Sequence, residues 1–233
     1  KAILALGLFN TVDVDLRPSQ TGHRLLISVK EKQFFLLLPV VNLSGDGDWT
    51  YGITSRADNL LGLNQELSVS LKRKRYHKAA IEHENRLQIS YRAPRVADSR
   101  FGVELGLHSE ITLLNEKRQN SSGRYKRHLS DGKIIVSTPL NLVEASAGWI
   151  ISLGLQRQVY RHTLLSGDDD LFFNADVYTL ITRVDNKKIT LIADQPKGWH
   201  YGYELKRTIT AGSIIYQHLV FYHIYQHLNV GKR

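Results

Sequence analysis

Residues 49–108 alternate between polar and apolar side chains in successive runs, and this alternation constrains the fold more than any other feature of the chain. Neighbouring side chains of a β-strand point to opposite faces, so each run predicts a strand with one apolar and one polar face. The apolar positions are Leu67, Val69, Leu71, Leu87, Ile89, Tyr91, Phe101, Val103 and Leu105. The polar positions are Arg56, Glu66, Arg86, Gln88, Arg92, Arg100 and Glu104. Strands of soluble sandwiches alternate too, so periodicity alone leaves the environment of the apolar face open.

The linkers between these runs differ in length and character. Residues 59–65 and 94–99 are short, whereas residues 76–85 and 115–128, which alternate with them, are longer and charged. Short turns at one end and long loops at the other are typical of a transmembrane β-barrel. The arrangement therefore predicts that the apolar positions face lipid and that the polar positions face an enclosed wet lumen.

Net charge narrows the classes of partner. The chain carries a formal charge of +9 at pH 7, which favours polyanions such as nucleic acid or an anionic lipid surface. The basic residues are spread through the alternating runs, and the sequence has no helix-turn-helix, zinc or RNA-recognition signature, so we expect no nucleic-acid partner. One basic run is dense and predicts a rim that contacts lipid phosphates. It consists of Lys72, Arg73, Lys74 and Arg75.

The absence of two residue types and the hydropathy of the chain exclude several kinds of chemistry and one kind of membrane anchor. The chain has no cysteine, which excludes disulfides and thiol nucleophiles. It also has no methionine and does not begin with one, which indicates a processed or truncated chain. No stretch reaches the roughly 18 consecutive apolar residues of a membrane helix, so a place in a membrane would require a closed barrel.

The sequence near the N-terminus predicts two short strands before the barrel begins. Residues 11–16 and 24–30 alternate on either side of a turn at residues 18–22, as in the second half of an α+β unit. Residues 34–43 follow as the predicted first barrel strand. The Gly-Asp-Gly-Asp sequence at residues 45–48 is read as a hairpin turn, because the further oxygen ligands of a calcium loop do not follow it.

Three segments resemble a known family. Residues 56–62 (Arg-Ala-Asp-Asn-Leu-Leu-Gly), 90–95 (Ser-Tyr-Arg-Ala-Pro-Arg) and 99–102 (Ser-Arg-Phe-Gly) resemble the first barrel hairpins of the bacterial surface antigen superfamily. These are outer-membrane assembly and translocation proteins with polypeptide-transport-associated (POTRA) domains. The order of residues 6–9, 12–14 and 26–32 looks like the second half of such a domain.

The resemblance implies both a fold and a domain organisation. Residues 33–233 would form the N-terminal strands of a larger, all-β, antiparallel transmembrane barrel, and residues 1–32 the C-terminal half of an α+β POTRA domain. We count about nine or ten barrel strands, whereas the family barrel has more. The arginine-glycine-phenylalanine motif of the second half of that barrel is not found.

The resemblance also implies a function in the bacterial outer membrane. Such proteins insert or translocate polypeptides through a barrel with a lateral seam, and a POTRA domain receives the client by strand addition. The expected partners are outer-membrane lipid and an unfolded polypeptide client or a fused passenger. Proline lacks an N–H donor and would weaken the ladder at the seam. The seam strand would include Leu36, Leu38, Pro39 and Val41.

Motifs for chemistry are absent from the sequence. It contains no nucleophile elbow, zinc-binding helix motif, P-loop or dinucleotide-binding fingerprint, so we expect neither an enzyme nor a cofactor. Asp168, Asp169 and Asp170 lack a neighbouring cluster of ligands, and we expect no metal there. His218 and His227 lie an odd number of residues apart, which puts them on opposite faces of one strand.

Three alternatives remain open on the sequence. The chain is read alternatively as the translocator of an autotransporter with an upstream, lipase-like passenger. It is also compatible with a soluble β-rich module that binds anionic ligands. A β-rich hydrolase would require a pocket that gathers histidine with aspartate or glutamate from distant parts of the chain.

Overall fold

The structure begins with a separate hairpin. The computed structural model describes residues 9–19, 22–31, 34–60, 62–77, 81–96, 99–118, 121–140, 147–167, 174–192, 195–210 and 213–225. Strands β1 (Phe9–Ser19) and β2 (Gly22–Glu31) pair antiparallel and form a two-stranded sheet of their own. These strands contain the two that the alternation in this region predicts.

The other ten strands form one antiparallel sheet in which each strand pairs with its neighbours in sequence. They are β3 (Phe34–Leu43), β4 (Trp49–Leu60), β5 (Gln65–Arg75), β6 (Ile81–Ala93), β7 (Gly102–Arg118), β8 (Ser121–Pro139), β9 (Ala147–Gly167), β10 (Ala175–Ile192), β11 (Gln195–Thr210) and β12 (Ser213–Tyr225). Among the described residues, no ladder joins β3 to β12. The all-β, antiparallel prediction and the strand count are confirmed. The same residues include no helix long and apolar enough to cross a membrane.

Strand length increases along this sheet. The first four strands have 10 to 13 residues, whereas β7 to β11 have 16 to 21. A tilted strand needs about 9–11 residues to cross a bilayer core, so the later strands exceed that length. The prediction that residues 115–128 form a long charged loop is wrong. Strand β7 continues to Arg118, β8 begins at Ser121, and Asn115 lies opposite Arg124 in the ladder.

This extended hairpin is stabilised by its ladder and by a small apolar cluster. The Tyr125 side chain is 1% exposed and packs with Leu114, Ile81 and Leu164. Polar composition predicted a loop here, but backbone hydrogen bonds between strands form whatever the polarity of the side chains. Residues 81–85 of the second predicted long loop likewise belong to β6. Two segments that the sequence predicts as long loops therefore belong, at least in part, to the strands β6, β7 and β8.

The predicted turns at residues 45–48 and 59–65 are present. The Gly47 N–H donates to the Ser44 carbonyl at 3.0 Å, with a φ of 84° at Gly47. Between β4 and β5, Asn59 and Asn64 have φ values of 54° and 55°. Asparagine tolerates this left-handed region better than most residues. The Asn64 N–H donates to Asn59 Oδ1 at 2.9 Å, which closes the turn.

Side-chain burial in the ten-stranded sheet reverses the pattern of a soluble protein. On β9, Ser152 is 5% exposed, while its neighbours Leu153 and Leu155 on the other face are 57% and 61% exposed. We call the two sides the polar face and the apolar face. Buried members of the polar face are Glu110, Thr112, Ser152, Thr179, Asp185 and Glu204. Exposed members of the apolar face are Trp149, Ile151, Leu153, Leu155, Leu180, Tyr201 and Tyr203.

Candidate functional site

A buried carboxylate organises the polar face between β6 and β8. The Glu110 side chain accepts a hydrogen bond from Arg86 Nη2 at 3.2 Å and one from Arg127 Nη2 at 3.3 Å. Thr112, which is fully buried, also donates its hydroxyl to Glu110 at 3.2 Å. A buried charge is stable only when it is paired in this way. Register places these groups, because Arg86 lies opposite Glu110 and Thr112 lies opposite Arg127.

The same cluster extends toward the end of β5. Arg86 Nη2 donates to Glu84 Oε1 at 2.6 Å, and the Tyr76 hydroxyl donates to Glu84 Oε2 at 2.8 Å. Tyr76 lies beyond the last residue of β5. Burial and the adjacent Glu84 carboxylate raise the pKa of Tyr76 to about 12, so its phenol stays protonated and keeps donating at neutral pH.

A second cluster lies between β10 and β11. Arg183 and Lys206 both donate to Glu204, with Arg183 Nε at 2.8 Å and Lys206 Nζ at 3.1 Å. Beside them, Asp185 and His200 are joined at 2.8 Å. The Glu204 side chain is 3% exposed, so the two cations fully enclose its charge.

Further polar contacts lie on the same face between the two clusters. Lys133 Nζ donates to Glu104 Oε1 at 2.6 Å, from β8 to β7. Gln156 Nε2 on β9 donates to Asp131 Oδ2 on β8 at 2.8 Å. Paired polar groups thus cross the sheet on one face, as expected for the wall of a wet cavity rather than for an apolar core. In the described part of the chain, no three His, Cys, Asp or Glu side chains are grouped closely enough to hold a metal ion.

Six of the seven polar positions singled out in the sequence occupy the polar face. Register aligns Glu66 with Arg92 and Gln88 with Ser70. Arg100 is the exception, because it precedes β7 and its guanidinium lies 5.6 Å from the centroid of the Phe101 ring. The six are Arg56, Glu66, Arg86, Gln88, Arg92 and Glu104. That they face an enclosed lumen remains a prediction.

The apolar positions within the strands share the opposite face. Val69 lies opposite Ile89, which lies opposite Leu107 in the next ladder. Of the nine positions, Leu71 is 50% and Leu105 39% exposed. Phe101, just before β7, is 43% exposed, and the others are half-buried. Contact with lipid at these positions remains a prediction.

The dense basic run of β5 is divided between the two faces, so its four residues do not form one rim. Arg73 and Arg75 are exposed on the apolar face, whereas Lys72 and Lys74 lie on the polar face. Lys74 Nζ lies 3.1 Å from Asp48 Oδ2 and 4.3 Å from the centroid of the Tyr76 ring. The cause is the two-residue period of a strand, which sends successive side chains to opposite sides.

The predicted seam strand is an edge of the ten-stranded sheet. All residues of β3 pair with β4, including Pro39, which lies opposite Ile53. Its other edge has no partner within the described residues. Both faces of β3 are apolar, with Val41 72% and Leu38 47% exposed. The seam itself remains a prediction.

The sequence pattern does not predict several residues of the polar face. Glu110, Thr112 and Arg127 lie next to or within the segment predicted as a loop, and only the strand register brings them together. His218, on β12, contacts the hydroxyl of Tyr203 on β11. Residue 227 and residues 168–170 lie outside the described residues.

Comparisons with known proteins found similar solved structures but no related sequence family. No family model matches the chain, and no curated protein matches its sequence. The solved structure of CdiB from Acinetobacter baumannii is similar at a TM-score of 0.52 and 11% identity, over 89% of this chain and 45% of CdiB. This chain has the fold of part of CdiB. BamA from Haemophilus ducreyi lacking POTRA domains 1-3 aligns at a TM-score of 0.47 and 16% identity, over 92% of this chain and 42% of BamA. The chain spans less than half the length of either structure.

Proposed function

We propose that this chain is the barrel segment of a bacterial outer-membrane protein that inserts or translocates polypeptides. The observation that carries the proposal is the reversed burial of the ten-stranded sheet. Charged groups such as Glu204 are enclosed, while large apolar side chains such as Leu155 are exposed. In water, each Å² of exposed apolar surface forgoes about 25 cal/mol of burial energy, so a face of this kind needs another solvent.

The environment that suits such a face is the hydrocarbon core of a membrane. A soluble sandwich would cover the apolar face with a second sheet. The only other described sheet is the β1–β2 hairpin, and the exposures of the apolar face hold with that hairpin present. This disfavours a soluble module that binds anionic ligands. It supports outer-membrane lipid as the first partner.

The second partner is an unfolded polypeptide client, and we place its entry at β3. Within the described residues the outer edge of β3 pairs with no strand, and a client strand can add to the backbone groups of such an edge. The fold shared with CdiB and the resemblance of the first hairpins to the surface antigen superfamily support this role. We also assign residues 1–32 to the last part of a POTRA domain, and the β1–β2 hairpin is compatible with that assignment.

Reconstitution of the full-length protein in lipid vesicles tests the activity. The client is an unfolded outer-membrane barrel protein, and its folding is followed by the mobility shift between heated and unheated samples on a gel. Vesicles with the protein should fold the client faster than empty vesicles. Equal rates would refute the proposed function.

Cross-linking tests the place of entry. Because this chain has no cysteine, single cysteines can be introduced without competing sites within it. Val41→Cys reports on the edge strand, and Leu153→Cys, in the middle of the sheet, is the matched control. A photoreactive probe, bonded through its maleimide to the introduced cysteine, should capture the client from position 41 and not from position 153. Equal capture at both would contradict entry at β3.

A further inference from the structure

A shallow groove crosses the apolar face from β4 to β7. Its volume is about 470 Å³, and its walls include Tyr51, Leu71, Arg73, Asn85, Leu87 and Ile111. Register orders these residues in two rows. Tyr51, Arg73, Asn85 and Ile111 lie opposite one another in successive ladders, and Leu71 and Leu87 lie in the adjacent row. The groove therefore has one polar and aromatic wall and one aliphatic wall.

A small side chain makes room for the groove. Ser109 follows Leu87 in the aliphatic row, and Ser130 lies opposite Ser109 on the next strand, so the row carries small side chains at this end. The Ser109 hydroxyl is joined to His128 Nε2 at 3.1 Å, which draws the imidazole of β8 over the serine. His128 lies opposite Ile111, so it continues the polar row of the groove.

The next row outward is also basic and aromatic. Trp49 lies opposite Arg75, Arg75 opposite His83, and His83 opposite Leu113. Leu113 in turn lies opposite Lys126, which is exposed. Two adjacent rows of the apolar face thus carry basic side chains next to Tyr51 and Trp49, and the inner of these rows borders Leu71 and Leu87.

The carboxylates near this rim pair with other cations, so three of the basic residues form no ion pair with them. Asp48 pairs with Lys74, Glu82 pairs with Arg124, and Asp176 pairs with Arg161. Within the part of the chain that the structure describes, no carboxylate forms a salt bridge with Arg73, Arg75 or Lys126. Among the described residues, the rim next to the groove is therefore electropositive and forms no ion pair with a carboxylate.

We infer that this groove binds the phosphate-bearing headgroup of an anionic phospholipid, with Arg73 on the phosphate and an acyl chain along Leu71 and Leu87. The inference rests on the proposed function, because it requires the apolar face to contact lipid. A guanidinium matches the geometry of a phosphate with two parallel hydrogen bonds. Aromatic residues such as Trp49 favour the level of the headgroups in a bilayer. The charge of Arg73, the aliphatic wall of the groove and the position of Trp49 thus all favour an anionic phospholipid.

Fluorescence quenching in the full-length protein tests the inference. Trp49 is 51% exposed on β4 beside Arg75, and its signal is isolated by changing every other tryptophan of the protein to Phe, which in this chain means Trp149→Phe and Trp199→Phe. The probes are vesicles of brominated phosphatidylglycerol or brominated phosphatidylcholine. Each basic residue near an anionic surface strengthens association about fivefold. Arg73→Gln with Arg75→Gln should therefore lower the preference for phosphatidylglycerol at Trp49 about fivefold or more.

The matched control removes the same charge from the polar face, outside the groove. Arg56→Gln with Arg92→Gln changes two residues of that face and should leave the preference unchanged. An equal fall in both variants, or no preference in the unaltered protein, would overturn the inference. If the arginine variant does not fold, the salt dependence of the lipid preference in the unaltered protein tests the inference instead. This preference must fall in 0.5 M salt, where screening is strong, and a preference that is insensitive to salt would overturn the inference.

A second outcome separates the failure of this inference from that of the proposed function. When the apolar face lies in lipid, brominated phosphatidylcholine quenches Trp49 even if the groove has no preference among headgroups. Absence of quenching by either lipid would refute the membrane placement and this inference together. Quenching by both lipids to an equal extent would refute the headgroup site alone.

Discussion

Arg183 and Glu204 lie directly opposite each other in the ladder between β10 and β11, and Arg183 Nε donates to Glu204 Oε2 at 2.8 Å. The carboxylate also binds Lys206 and is almost completely buried. A pair of this kind would be costly inside an apolar core. On the polar face it lies among other paired charges, and it joins two neighbouring strands.

Removing the charge of Glu204 should destabilise the barrel. Glu204→Gln leaves Arg183 and Lys206 without their anion, and a buried polar group that loses its partner costs about 1–3 kcal/mol. The urea midpoint of the folded protein in phosphatidylcholine vesicles, read from the heat-dependent gel mobility, measures the loss. The matched control is Glu66→Gln, since Glu66 pairs with Arg56 at 3.4 Å and is 36% exposed. An exposed pair contributes about 0–1 kcal/mol, so a loss at position 66 as large as that at position 204 would contradict the expectation.

A charge on the apolar face should interfere with folding in proportion to its depth in the membrane. Leu153 is 57% exposed near the middle of the apolar run of β9, and Leu165 is 48% exposed near the end of the same strand. Leu153→Arg should cost about 2–4 kcal/mol, the value for an arginine at the bilayer midplane, and Leu165→Arg about 0–1 kcal/mol. Unfolding by urea in lipid vesicles measures both. If the two variants lose the same amount, the apolar run of β9 does not lie across the membrane.

The alternation of residues 49–108 was sufficient to predict the strands and their two faces, because a two-residue period is a property of the strand itself. The first barrel strand, predicted separately at residues 34–43, agrees with β3 at Phe34–Leu43. The extended hairpin of β7 and β8 could not be predicted in this way. Its polar residues are typical of a loop. The structure shows that Asn115 lies opposite Arg124, so the backbone is paired in a ladder there.

The candidate site was less predictable than the fold. The dense basic run of β5 predicts a single rim, although the two-residue period of a strand places Arg73 and Lys74 on opposite faces. Partners on other strands, such as Lys126 and His128, depend on register across three ladders. Register is set by turn geometry and by packing along the whole strand, which a local pattern does not contain. The groove and the buried clusters therefore required the structure.

The hairpin end at Asp48 should respond to acid. The hydrogen bond from the His77 backbone N–H and the nearby Lys74 ammonium hold the pKa of Asp48 below its ordinary value. A depressed pKa means that the carboxylate contributes stability at pH values above the pKa of the unfolded chain. This contribution is lost as the pH falls through the pKa of the folded state.

The titration of the Asp48 carboxyl carbon by NMR measures this effect in detergent micelles. Lys74→Met should raise the midpoint toward the ordinary value of an aspartate, because one of the groups that favour the ionised form is gone. Lys72→Met is the control, since Lys72 makes no ion pair with Asp48 in the described residues. A midpoint that Lys74→Met leaves unchanged would show that Lys74 does not act on Asp48.

The turn between β4 and β5 should tolerate only residues that suit a left-handed backbone. Asn64 has a φ of 55°, and its N–H donates to Asn59 Oδ1 at 2.9 Å. Asn64→Gly keeps this hydrogen bond and should change the unfolding free energy little. Asn64→Val places a β-branched side chain in the same conformation, at a cost of about 1–3 kcal/mol. The difference between the urea midpoints of the two variants measures the strain, and equal midpoints would mean that this turn does not hold β4 and β5 in register.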